Sequence, residues 1–181
     1  VVGPVLPLYA KSFNVSAASV GLTLTVYGLA RMLLNIPVGL VSDRIGRRPV
    51  LIAGPAIVCV SSVLSATAGS LEELLLWRFL AGAGAALFQT GAAVYLTDIA
   101  DPSSRARMMG LNQGSLLFGV SLGPAVGGFV AEFFDFRAAF LLIGALSGLC
   151  GIWGFFALPE THNAARREQA KEKRGLVTGT G

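Results

Sequence analysis

Charged residues are scarce in this sequence. Asp, Glu, Lys and Arg make up 13% of its 181 residues, against roughly a quarter in ordinary soluble domains. With one histidine and two cysteines, the chain is neither a disulfide scaffold nor a good candidate for hydrolytic chemistry. We find no Ser/His/Asp set, no metal-ligand spacing and no phosphate-binding loop. The sequence therefore predicts neither an enzyme nor a protein with a metal or a cofactor.

Apolar residues are abundant instead. Hydrophobic side chains make up 54% of the chain, glycine adds 23 residues, and the mean hydropathy is +0.69. A soluble domain of this length cannot bury so much apolar surface in one core. Cys59 and Cys150 each lie inside an apolar run, where we expect reduced thiols. This composition is typical of an integral membrane protein.

The apolar residues form six runs along the chain. The first, residues 1–10, is shorter than the roughly 20 residues that a helix needs to cross a bilayer, so we expect a truncated helix. The other five are long enough and lack the alternation of barrel strands. They cover residues 18–41, 49–68, 71–96, 106–131 and 137–158. The sequence thus predicts an all-α six-helix transmembrane bundle over residues 1–158, followed by a basic loop or linker over 159–181.

Basic residues gather on one side of the predicted membrane. The opposite side has only Lys11 and Arg137. Because cytoplasmic loops carry the excess of Lys and Arg, we expect segments 42–48 and 97–105 and the tail to be cytoplasmic in a multi-pass plasma-membrane protein. The residues on the basic side are Arg44, Arg47, Arg48, Arg105, Arg107, Arg166, Arg167, Lys171, Lys173 and Arg174.

Two apolar runs end in a similar pattern. A proline and a glycine precede an acid, with four positions from Gly39 to Asp43 in one run and from Gly128 to Glu132 in the other. One copy is expected at the cytoplasmic side and the other outside, as two inverted three-helix repeats would place them. The alternative is chance similarity between glycine-rich helices.

Two arginines, Arg31 and Arg78, lie within apolar runs, and no Asp or Glu lies in the interior of these runs. A charge at the bilayer centre costs about 2.5–3.5 kcal/mol on insertion scales, so such residues usually face a water-filled cavity or a partner. Both are candidates for proton coupling. The alternatives are snorkelling and a structural ion pair.

The run 106–131 carries a stripe of glycines. Small residues on one side of a helix let another helix approach closely, and Pro124 removes a backbone hydrogen bond and can bend the helix. Close packing alone is the alternative explanation. The stripe consists of Gly110, Gly114, Gly119, Gly123 and Gly127.

These patterns resemble the motifs of the major facilitator superfamily. The signature between the second and third helices of that family is matched by Gly39-x-x-x-Asp43-Arg44-x-Gly46-Arg47-Arg48. The fourth-helix motif is similar to residues 74–85 around Arg78, with Ala81 where Gln is often seen. The fifth-helix motif of drug:proton antiporters is matched by Gly119-x-x-x-Gly123-Pro124-x-x-Gly127-Gly128.

The resemblance covers residues 1 to about 162, including Pro159-Glu160-Thr161 at the end of the sixth run. It corresponds to the N-terminal half of a twelve- or fourteen-helix transporter, so we expect the C-terminal bundle to be absent. The resemblance implies alternating access between two six-helix bundles. Asp43 would meet the start of a helix in the other bundle, and we expect Arg47 to pair with Asp98 as a cytoplasmic gate.

The function that these expectations favour is proton-coupled efflux of small or amphipathic compounds. Its partners would be a small-molecule substrate, protons, the lipid bilayer and the missing bundle, and no nucleic acid. Two alternatives stay open. One is an importer of a sugar or another metabolite, and the other is a half-size membrane protein that interacts with a partner and does not transport.

Overall fold

A computed structural model describes residues 17–157 of the chain, and all regular structure in that range is helical. Each of the five helices contains a segment long and apolar enough to cross a membrane. The predicted truncated helix over residues 1–10 and the basic tail over 159–181 lie outside the described range. The helices are α1 (Ala17–Ile45), α2 (Arg47–Thr67), α3 (Leu71–Ile99), α4 (Arg105–Phe133) and α5 (Phe136–Ala157).

The turn between α1 and α2 differs from the expected loop over residues 42–48. Helix α1 continues to Ile45 and α2 begins at Arg47, so a single residue, Gly46, joins them. Gly46 has φ 111°, a backbone conformation that glycine adopts without strain. Asp43 therefore lies in the last turn of α1 and Arg47 in the first turn of α2. The charged motif is carried by two helix ends and not by a loop.

The start of α3 is fixed by its own sequence. The Ser70 hydroxyl accepts a hydrogen bond from the Glu73 backbone N–H at 3.3 Å. In return, Glu73 Oε2 accepts one from the Gly69 N–H at 2.9 Å. This arrangement is a variant of the capping box in which the carboxylate binds the N–H of the residue before the N-cap, and it satisfies two backbone donors at the helix start.

Helix α3 is the centre of the bundle. It packs against α1 and α2, and α2 packs in turn against α5. Glycines bring these backbones together: a Cβ built on Gly54 would lie 2.8 Å from the carbonyl oxygen of Gly84, and one built on Gly82 would collide with the carbonyl oxygen of Tyr27. Such small residues allow close helix contact where no apolar side chain could fit.

Helix α4 packs most loosely of the five against the other described helices. Large apolar side chains on it are exposed, among them Leu117 and Phe118 at 64% and 67%. Apolar surface of this kind is compatible with a lipid environment or with a further helix. Because short connections join successive helices, α1, α3 and α5 end on one face of the bundle, and α2 and α4 begin there.

Candidate functional site

The face where α1, α3 and α5 end carries five arginines, and we call it the arginine face. They are Arg44, Arg47, Arg48, Arg105 and Arg107. Arg47 Nε donates a hydrogen bond to Asp98 Oδ2 at 2.7 Å. The side chains are 15% and 22% exposed. This ion pair connects the first turn of α2 to the last turn of α3.

Arginines of this face also bind the terminal carbonyl groups of three helices. Arg47 Nη1 donates to the Ser42 carbonyl oxygen of α1 at 3.3 Å. Arg105 Nη2 donates to the Thr97 carbonyl of α3 at 3.2 Å, and Arg48 Nη2 to the carbonyl of Phe155 in α5 at 2.6 Å. The last carbonyls of a helix lack intrahelical donors and carry a partial negative charge, so each contact is favourable. Together they hold three helix ends on one face.

The other residues of the sequence motif are distributed differently. A Cβ built on Gly39 would have no described atom within 4 Å, so this side of α1 leaves room for a neighbour. Arg44 is exposed in the last turn of α1. Asp43 lies one position before it in the helix, and its side chain is outside the described part of the structure.

Arg78 lies toward the opposite end of the bundle and is only 4% exposed. Its Nη2 donates to Ser65 Oγ of α2 at 3.4 Å, and its guanidinium carbon lies 4.5 Å from the ring centroid of Phe140 in α5. The surrounding cluster includes Leu74 and Ala66. Arg78 thus connects α2, α3 and α5 through a cation–π contact and a hydrogen bond in an apolar setting.

Arg31 occupies a different position. It lies fourteen residues from either end of α1, about 21 Å at 1.5 Å per residue. It is half-buried and, with Tyr27 one turn earlier, lines a cavity of about 240 Å³ between the helices. No hydrogen bond or ion pair joins Arg31 to another residue of the 17–157 range. The two intramembrane arginines are therefore not brought together.

Two larger cavities adjoin the one beside Arg31, and Phe88 of α3 lines all three. One, of about 480 Å³, is an apolar groove between α3 and α5 that includes Trp153 and Cys150. The other, of about 490 Å³, lies between α3 and α4. Volumes of this size match those of small-molecule sites.

From the sequence, Gln89 and Asn112 could line a cavity, but no spacing promoted them to site candidates. Gln89 lines two of the three cavities and Asn112 lines the cavity against α4. Asn35 of α1 accepts a hydrogen bond from Thr90 of α3 at 3.2 Å between side chains. The signal in the sequence was a polar residue inside an apolar run. Such a residue does not reveal which side of its helix faces a cavity.

The fifth-helix motif lies on α4, which continues as helix past Pro124 to Phe133. Gly123 and Gly127 are buried. A Cβ on Gly119 or Gly128 would have no described neighbour within 4 Å. Gly119 also lines the cavity between α3 and α4. The motif glycines therefore lie on more than one side of α4.

Metal-binding groups do not assemble within residues 17–157, where no three His, Cys, Asp or Glu side chains come together. Cys59 and Cys150 are free thiols there. No residue set in this range offers a place for a metal cofactor.

Known proteins resemble this chain along most of its length. The family model "Major Facilitator Superfamily" matches residues 1–180. The class E tetracycline resistance protein of Escherichia coli is 33% identical over 168 residues, which are 91% of this chain and 41% of that protein. The quinolone resistance protein NorA of Staphylococcus aureus is 29% identical over 149 residues, 82% of this chain and 38% of NorA.

Solved structures show the same fold. Two crystal structures of a bacterial homologue of the human lysosomal transporter Spinster, inward-facing and either unoccupied or occupied, align with a TM-score of 0.69 at 23% identity. They cover 88% of this chain, which spans 39% and 40% of theirs. The chain thus spans about two fifths of the length of the relatives it matches. With apolar helices of membrane-spanning length and a family model matched over almost every residue, it belongs to the major facilitator superfamily, whose members are multi-pass membrane transporters and not enzymes.

Proposed function

We propose that this bundle is the N-terminal half of a proton-coupled exporter that moves small or amphipathic compounds by alternating access. The observation that carries the proposal is the Arg47–Asp98 ion pair of 2.7 Å. It lies on the face where three helices end, and it ties the first turn of α2 to the last turn of α3 beside Asp43, the residue that we propose meets the other bundle. The similarity to tetracycline and quinolone resistance proteins supports efflux as the direction of transport.

The proposed gate uses the arginine face as a latch. Arg47 holds the end of α1 through Ser42 and the end of α3 through Asp98. A second bundle docking beside Gly39 would place a helix start near Asp43, where the helix dipole favours an anion. Charged contacts of this kind near water are individually weak, so they can break and re-form during a transport cycle.

The arginine face is cytoplasmic in this proposal. Its arginines follow the positive-inside bias, whereas Glu72 and Glu73 begin α3 at the other end. Protons would enter through the outer half of the bundle, and we assign their coupling to Arg78. Because an arginine does not lose its own proton, it would act by stabilising a carboxylate elsewhere in the whole protein.

The test uses inside-out membrane vesicles that contain the full-length protein encoded by the gene with this chain. Respiration acidifies the vesicle interior, and tetracycline and norfloxacin serve as probes. An exporter accumulates one or both inside while the gradient lasts and releases them when nigericin collapses it. A metabolite importer would not accumulate either probe. If the amounts of both probes inside the vesicles did not depend on the gradient, the proposal would be contradicted.

Charge reversal in the same assay tests the gate. We expect Arg47→Asp or Asp98→Arg alone to reduce gradient-driven accumulation at least about tenfold, which corresponds to about 1.4 kcal/mol. The double reversal should restore it to within about threefold, because the two effects are not additive for residues in contact. A double variant that is inserted but as inactive as the single variants would contradict a gate pair.

A further inference from the structure

Arg31 is a positive charge with no negative side chain beside it among residues 17–157. Every acid in the five described helices lies within two residues of a helix end, at Asp43, Glu72, Glu73, Asp98 or Glu132. Asp43, on the same helix as Arg31, is twelve residues away, about 18 Å along the axis. A guanidinium at membrane depth needs a partner or water. The five described helices therefore place no carboxylate beside Arg31, and a negative group from outside them can reach its charge through the cavity that it lines.

The cavity beside Arg31 has the chemistry of a site for a small anionic group. Its remaining polar side chains include Tyr27, Gln89 and Ser147, which are neutral and can donate hydrogen bonds. The guanidinium offers a planar fork of donors that fits a carboxylate with two parallel hydrogen bonds. A volume of about 240 Å³ accommodates such a group but not a large drug molecule.

The adjoining groove supplies the apolar part of the site. It holds about 480 Å³ between α3 and α5 and is lined by side chains such as Leu149 and Trp153. Phe88 and Cys150 line both spaces, so the groove and the cavity beside Arg31 are adjacent. One elongated molecule that fills both has to pass these two side chains.

We infer that Arg31 binds the anionic group of an amphipathic carboxylate whose apolar part lies in the groove between α3 and α5. This inference deepens the proposed exporter by naming a substrate class, and it rests on that proposal for the ligand being cargo. Arg31 is then a substrate-binding residue and takes no part in proton coupling.

The binding experiment compares two probes that differ in one charge, 11-(dansylamino)undecanoic acid and its methyl ester. Dansyl fluorescence reports binding to the purified full-length protein in detergent. We expect the wild-type protein to bind the acid at least about tenfold more tightly than the ester, as a charge-assisted hydrogen bond in a cavity can supply. Arg31→Gln should weaken acid binding about tenfold and leave ester binding unchanged, whereas Arg31→Lys should retain most of the preference.

Arg107→Gln is the matched control. Arg107 is exposed in the first turn of α4 and lines none of the three cavities, so removing its charge should leave both affinities within about twofold. If Arg107→Gln lowered acid binding as much as Arg31→Gln does, the effect would be one of overall charge and the inference would be wrong.

Cys150 gives an independent test of location. It lines the cavity and the groove, and Cys59 lines neither. In the wild-type protein, the acid should slow maleimide labelling of Cys150 several-fold relative to Cys59, as read from the two peptides by mass spectrometry. The ester at the same concentration should protect less, and Arg31→Gln should lose the protection by the acid.

Several results would overturn the inference. They are equal wild-type affinities for acid and ester, equal weakening of both probes by Arg31→Gln, and absence of Cys150 protection. If the Arg31→Gln variant does not fold, the preference of the wild-type protein for the acid over the ester and the labelling of Cys150 still test the inference. Neither needs a proton gradient, so a protein that prefers the acid but shows no gradient-driven accumulation contradicts the exporter proposal and leaves this binding site intact.

Discussion

At the scale of single residues, the arginines of this chain do three different things. Arg47 and Arg48 bind acceptors at helix ends, Arg78 is enclosed between three helices, and Arg31 lines a cavity. One side-chain chemistry therefore yields contacts between helix ends, a buried contact and a cavity-lining group, to which we assign the roles of latch, coupling and ligand binding. The difference lies in what surrounds each guanidinium, because burial of a charge is costly and only hydrogen bonds or a charged partner offset that cost.

For Arg78, we predict that one variant loses proton coupling and that a second variant loses stability but keeps coupling. Arg78→Ala should abolish gradient-driven accumulation by the full-length protein while substrate exchange without a gradient continues. Phe140→Leu is the matched control: it removes the ring at 4.5 Å but keeps the charge. It should lower the melting temperature, since a desolvated cation–π contact contributes about 2 kcal/mol, and retain coupling. Unchanged accumulation by the Arg78→Ala variant would show that Arg78 has no coupling role. If this variant lost substrate exchange and also had a lower melting temperature, the role of Arg78 would be purely structural.

At the scale of helices, glycines decide which elements are packed tightly. Gly82 allows α1 to cross α3, and Gly54 with Gly84 allows α2 to do so. Gly110 and Gly114 on α4 have no described atom within 4 Å of a built Cβ. Gly110 and Gly114 of the predicted stripe thus make no close helix contact among the described residues, unlike Gly82 and Gly84 of α3, which belong to the fourth-helix motif.

We predict that Gly82→Ala destabilises the protein and Gly110→Ala does not. The new methyl group at position 82 would collide with the Tyr27 carbonyl and lie 3.0 Å from Ala30 Cβ, so α1 and α3 must separate. Overpacking of this kind costs about 1–3 kcal/mol. At position 110, alanine is expected to change stability by less than about 0.5 kcal/mol. Thermal unfolding of the full-length protein in detergent measures both, and equal shifts would show that the close crossing of α1 and α3 is not maintained.

At the scale of the whole molecule, the bundle is polar at its two ends and apolar around its sides. Apolar residues such as Ile36 on α1 and Phe156 on α5 are 78% and 81% exposed. This arrangement suits a bilayer, in which every backbone group is satisfied within a helix and the side chains face lipid. The two ends differ in charge, with arginines at one and the α3 capping box at the other.

We predict that the two ends lie on opposite sides of the membrane, with the arginine face inside. In a variant of the full-length protein without other cysteines, Asp101→Cys reports the turn between α3 and α4, and Gly69→Cys the turn between α2 and α3. A membrane-impermeant maleimide added to intact cells should label position 69 and reach position 101 only after permeabilisation. The reverse pattern would place the arginine face outside and contradict the positive-inside assignment.

Much of this protein could be predicted from its sequence because the bilayer restricts what an apolar run can do. Five predicted spans became helices, and most of their ends lie within three residues of the prediction. The end of α1 was predicted less well, because Gly46 permits a turn that no loop propensity reveals. The inverted repeat stays a prediction, since the first helix lies outside the described residues.

The sequence by itself determined the family, the spans and the distribution of charge, since these depend on residue type and spacing along one chain. The tertiary structure alone decided which side of each helix faces a neighbour. It placed Gln89 and Arg31 around one cavity while enclosing Arg78 near Phe140. The contact of Arg47 with Asp98, fifty-one positions away, was expected from the family resemblance and is present in the structure. The physical reason is that helices apolar on all sides carry no pattern that marks an inner face, so rotation and packing emerge only when the helices meet.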